Sequence, residues 1–140
     1  MVWTAPLVLV EQACSWVAAM RGDAVEAHVH ATACMEIAKR LSYPIYNLSG
    51  QLIDAWADVT TGDASRLHVA DASCADIVAT DLRMLTPFYL LLCAEAHAAI
   101  GDETAARDLV RQSRAVSAAS GDVLIGPRLT AFAGGLVPSG

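Results

Sequence analysis

Apolar residues recur along this chain at three- and four-residue intervals, and Gly-Asp pairs interrupt the pattern at nearly regular places. Leu7, Val10, Cys14 and Val17 form one stripe at helical spacing, which predicts a first helix over about 6–21 with Pro6 in its first turn. A second helix is expected over about 24–41, ended by Ser42-Tyr43-Pro44. Pro44 then opens a third, carrying Ile45, Leu48, Leu52 and Val59 and reaching about Thr61. A fourth is expected over about 64–85. Thr86-Pro87 reads as a cap and first-turn proline for a fifth helix ending near Ile100, and a sixth covers about 103–119. A short C-terminal helix is expected over about 122–134, with Pro127 either kinking it or starting it. β-Branched residues never alternate cleanly, so strands are not expected.

The interruptions repeat. At an offset of about forty residues, identities fall at Trp16/Trp56, Gly22/Gly62, Asp23/Asp63, Ala24/Ala64, His28/His68, Val29/Val69, Cys34/Cys74 and Ile37/Ile77, and Gly101-Asp102 continues the series. Glycine tolerates the positive φ that ends a helix, and aspartate caps the next one. Asp23-Ala-Val-Glu26 reads as a capping box. A period near forty made of helix–turn–helix units predicts an all-α solenoid of about three repeats, over 6–41, 44–85 and 87–120, in a single domain spanning 1–140. The shared register places Val29, Val69, Ile37, Ile77, Cys34 and Cys74 in the core.

Composition sharpens this picture without redirecting it. The hydrophobic fraction is 55% and much of it is alanine, which suits close helix packing. The net charge of −6 argues against general binding of nucleic acid or of anionic membranes. No apolar run approaches a membrane span, and no positive region precedes the apolar residues 2–10, so no signal peptide is expected. Cys14, Cys34, Cys74 and Cys93 are widely spaced and read as reduced thiols of a cytoplasmic protein.

The knuckle spacing resembles a tetratricopeptide-type repeat. That motif wants small residues at three positions around the glycine. The chain offers Ser15, Ala55 and Ala94 at the first, Ala27, Leu67 and Ala106 at the second, and Cys34, Cys74 and Ser113 at the third. Leu67 departs from the pattern, and Pro44 and Pro87 come late, so the second helices are longer than in the standard repeat. The stretch from Thr86 to Asp102, the helix 107–120 and the tail Ile125-Gly-Pro-Arg-Leu-Thr-Ala-Phe-Ala-Gly134 resemble the C-terminal helical repeats of bacterial LuxR-type regulators and ATPase-linked adenylate cyclases. The resemblance spans about 40–135. It implies a sensor or scaffold region of a signalling or transcription-regulatory ATPase. Neither a Gly-rich phosphate loop nor a recognition helix is present in the sequence.

Within such a stack, the resemblance places Gln12 and Trp16, Leu52 and Trp56, and Leu91 and Glu95 on a concave groove. Two tryptophans and a carboxylate would suit a protein partner or, alternatively, a small apolar or cationic ligand. The competing expectation is that the longer helices turn both tryptophans into the core.

Other candidates carry less. Glu26, His30 and Cys34 share one helix face, and Cys93 and His97 form an i, i+4 pair, both spacings that can hold a metal. Packing at the small positions explains the cysteines more simply, so no metal or other cofactor is expected. A Cys–His nucleophilic pair would need a third, orienting group, and the sequence nominates none. The paired His28 and His68 read as a structural echo, and no catalytic residue is expected. Arg107, Arg111 and Arg114 form a basic stripe best read as a solvated face. The expected role is a non-catalytic interaction module. Helix one also carries apolar residues on several faces, which predicts homodimerisation through Trp3, Leu7 and Val10.

Overall fold

The structure, a computed structural model, describes residues 4–80, 85–120 and 126–136. Among the described residues it is helical throughout, with no strand. The helices are α1 (Thr4–Met20), α2 (Ala24–Leu41), α3 (Pro44–Thr60), α4 (Leu67–Ala79, after a 3₁₀ turn at Ala64–Arg66), α5 (Thr86–Ala99), α6 (Glu103–Ser120) and α7 (Gly126–Gly135). No helix among them is long and apolar enough to cross a membrane.

The three Gly-Asp knuckles share one backbone pattern. Gly22, Gly62 and Gly101 have φ of 74°, 121° and 87°. The glycine N–H donates to Ala19, Val59 and Ala98, and the following aspartate N–H to Ala18, Asp58 and His97. This is a Schellman closure, which satisfies the last carbonyls of each helix. Each aspartate then caps the next helical segment: Asp23 accepts from Glu26 N–H, Asp63 from Ser65 N–H and Asp102 from Ala105 N–H. The capping box is only half present, because the Glu26 carboxylate turns to His30 Nε2 at 3.4 Å. The fourth Gly-Asp, at 121–122, lies outside the described residues.

Two helix boundaries differ from the sequence expectation. Thr86 is the first residue of α5, and Leu85 holds the cap position without a side-chain bond. The fourth helix is shorter than expected. It begins with a 3₁₀ turn and closes at Thr80, whose hydroxyl and N–H both donate to Ile77 C=O.

α3 is central and packs against α1, α2, α4 and α5, while α5 packs on α4 and α6, and α7 on α6. Every residue of α5 from Thr86 to His97 is buried except Glu95. A helix apolar all round must be enclosed, and α5 is. Of the nine small-residue positions, all are buried except Leu67, the one that departs from small. Ile77, Cys34 and Cys74 are buried as expected, and Ile37 and Val69 are half-buried. Val29 is 53% exposed, against expectation. Its repeat mate Val69 follows the 3₁₀ turn, which advances about 120° per residue instead of 100° and so rotates the rest of the helix by roughly 60°. Identical register therefore does not give an identical facing.

α1 also departs from the apparent pattern. Its inward face is Val8, Gln12, Ser15, Ala18 and Ala19. The apolar stripe points outward instead: Leu7, Val10 and Val17 are 50%, 54% and 53% exposed.

Candidate functional site

The six residues expected to line an open groove come together, but as core. Gln12, Leu52, Trp56 and Leu91 are buried, Trp56 at 3% exposure, and Trp16 and Glu95 are half-buried. What closes the groove is the chain itself. Arg128, near the start of α7, donates to both Glu95 carboxylate oxygens at 2.7 and 3.0 Å and to Ala19 C=O at 2.6 Å. Glu95 also accepts from Trp56 Nε1–H at 3.0 Å. Leu129 is buried in the same core, with Phe132, Ala133 and Leu136 packed against it. Arg128 thus ties α7 to α5 and to the end of α1, directly over Trp56. The six-residue groove is a filled seam in this state, because a docked helix supplies the partner that the sequence left open.

Trp16 has its own polar anchor. Its Nε1–H donates to Tyr89 Oη at 2.9 Å, and Ser49 Oγ lies 2.8 Å from the same oxygen. Burial pushes the Tyr89 hydroxyl up to about 12, with the Ser49 and Trp16 bonds opposing.

A second junction lies between α4 and α5, where sequence reasoning saw only the Cys93/His97 pair. Asp71 Oδ1 lies 2.7 Å from His97 Nε2 and accepts from Cys93 Sγ–H at 3.2 Å. On the other side of the ring, Asp102 Oδ2 lies 3.3 Å from His97 Nδ1. Cys74 lies one turn along α4 from Asp71. The neighbouring Cys93 thiol holds the Cys74 thiol below its usual range, against the opposing effect of burial, and Cys74 in turn pushes Cys93 strongly up, with burial adding to the rise. The third group that a Cys–His pair requires is therefore present twice, as Asp71 and Asp102. Asp71 sits on another helix, so linear spacing gave no hint of it, whereas Asp102 is the knuckle aspartate five residues after His97. The geometry does not suit nucleophilic attack. Cys93 is 1% exposed, and its proton is directed to Asp71 rather than to the imidazole.

The remaining candidates are engaged elsewhere. Glu26 and His30 meet, with Glu11 Oε2 2.6 Å from His30 Nδ1, but Cys34 points to the carbonyls of Val8 and Tyr46. Burial raises the Cys34 thiol to about 11, with Glu11 adding a smaller push. His28 meets Asp54, whose other oxygen, like Asp58, is paired with Arg66. His68 bonds Ser65 C=O at 2.8 Å and does not approach His28's partners. Arg107 pairs with Glu103 and Arg111 with Asp108; with Arg114 they border a cleft between α6 and α7. Of the residues expected at a dimer interface, Leu7 and Val10 are exposed, while Trp3 lies outside the described residues.

No protein-family model matches this chain, and comparison with curated proteins and with solved structures finds no match either.

Proposed function

We propose that this chain is a non-catalytic interaction module: a tetratricopeptide-like solenoid that docks another helical surface through the outer face of α1. The observation that carries the reading is the reversed facing of α1. Apart from Val8, its inward positions are small or polar, and Leu7, Val10 and Val17 are turned to solvent. An apolar stripe left outward at the first helix of a stack is where a preceding unit or a second copy would pack. The three matching knuckles and the buried small positions support the repeat reading. The resemblance to bacterial LuxR-type regulators and ATPase-linked cyclases suggests service as the interaction or sensor region of a larger cytoplasmic regulator. The alternative of a small-molecule groove at Trp16, Trp56 and Glu95 requires α7 to leave first.

Sedimentation equilibrium tests the docking face on the isolated chain, where a second copy is the available partner. The expected result is a homodimer at high micromolar concentration, with Leu7→Glu/Val10→Glu giving a soluble monomer of unchanged helicity. A parent chain that stays monomeric at that concentration would sink this reading.

A further inference from the structure

We infer that Asp71, Cys93 and His97 form a binding site for a zinc-like divalent cation, clamping α4 to α5. Two packed helices supply the donors: Asp71 on α4 and the pair Cys93-x-x-x-His97 on α5. The spacing of four brings Cys93 and His97 onto one helix face. The donor atoms of Asp71, Cys93 and His97 all lie within 4.8 Å of one another.

One sulfur, one imidazole nitrogen and one carboxylate oxygen belong to the soft-to-borderline set that zinc takes, with a solvent oxygen to complete the tetrahedron. Bonds of about 2.0–2.3 Å place tetrahedral donors roughly 3.3–3.8 Å apart. The contacts of 2.7 Å from Asp71 to His97 and 3.2 Å from Asp71 to Cys93 need only a small opening to admit the ion. Side-chain rotation supplies that more readily than backbone movement.

The outer partner is also in place. His97 turns Nε2 toward the site and Nδ1 toward Asp102, the carboxylate–histidine arrangement that fixes tautomer and ring orientation at metal centres. The side chains of Asp71 and Asp102 are about half exposed, at 47% and 45%, so the cluster opens to solvent on its carboxylate side while the Cys93 sulfur lies inside. Binding would convert the Cys93 thiol to a thiolate and release its proton to solvent. The charge of the ion would then be met by one thiolate and one carboxylate. A second mixed cluster among the described residues, His28 with Asp54 and Asp58, is a poorer candidate because Arg66 already pairs with both carboxylates.

The test uses the full, tag-free, reduced chain, titrated with Zn²⁺ against a chromophoric chelator and with Co²⁺ followed by absorbance. One equivalent per chain is expected, with a thiolate-to-cobalt charge-transfer band and the d–d intensity of a tetrahedral centre. Asp71→Asn, at an exposed position, should weaken uptake at least tenfold while leaving the helical spectrum unchanged. Cys93→Ser should abolish the charge-transfer band. Asp102→Asn keeps the cap of α6 but loses the carboxylate on His97, and should cost about 10–100-fold in affinity. His28→Gln should change nothing. Absence of stoichiometric uptake would overturn the assignment, as would uptake with unchanged affinity in Asp71→Asn and an unchanged cobalt spectrum in Cys93→Ser.

Discussion

Tyr89 shows how one hydroxyl can make an interior pH-sensitive. Its folded value of about 12 lies above the usual value of 10, so the folded state holds the proton more tightly than the unfolded chain. The associated stability is fully present below about pH 10 and is lost as pH rises toward 12. Two units correspond to about 2.7 kcal/mol. Tyr89→Phe should therefore flatten the alkaline fall in the urea midpoint between about pH 9.5 and 11.5. At neutral pH it should cost about 1–3 kcal/mol, because Trp16 Nε1–H and Ser49 lose their buried partner. An equally steep alkaline fall in the variant would show that Cys34 or other groups govern it. At this scale the sequence was legible for composition and register but not for environment. The knuckle glycines and small positions could be read directly, since backbone geometry and close packing restrict them. What Trp16, Trp56 and Val69 face depended on helix rotation, on a 3₁₀ turn and on Arg128 returning from the far end of the chain.

Among the elements, α2 and α3 approach closely at Gly50. A Cβ added at Gly50 would sit 2.5 Å from Met35 Cγ and 3.1 Å from Ala31 C=O. The Met35 side chain can move, but the carbonyl is helix backbone. Gly50→Ala should thus destabilise by about 1–3 kcal/mol through overpacking, despite alanine's better helix propensity. Chemical denaturation measures the balance, and a stabilised variant would mean that α2 and α3 separate without cost. α7 is held differently, by one multidentate arginine and a small apolar face. Arg128→Met leaves Glu95 and Ala19 C=O without that donor, and should lower stability by about 3 kcal/mol. If Glu95→Gln relieves most of the loss in a double-mutant cycle, the orphaned carboxylate is its source; strict additivity would place the loss elsewhere. Helix existence was readable from periodicity and punctuation. The docking of α7 was not, because a short apolar helix beyond Gly126-Pro127 carries no mark of its target.

For the whole molecule, the informative asymmetry is between its two ends. The last helix folds back and covers its neighbours, whereas the first turns Leu7, Val10 and Val17 outward. The dimer expected from this should weaken in the single variant Leu7→Glu and dissociate in Leu7→Glu/Val10→Glu, read by sedimentation velocity across a concentration series. Preserved association in the double variant would move the interface off α1. The end that folds back has a temporal consequence as well. Arg128 Nη1 and Ala19 C=O are separated by 109 positions in sequence, whereas neighbouring helices meet across short turns. Closing so long a loop costs chain entropy that local hairpins avoid, so this contact should form after the rate-limiting step of folding. In stopped-flow chevrons, Arg128→Met should then accelerate unfolding and leave the refolding limb nearly unchanged. A slowed refolding limb would instead place the last helix in the nucleus.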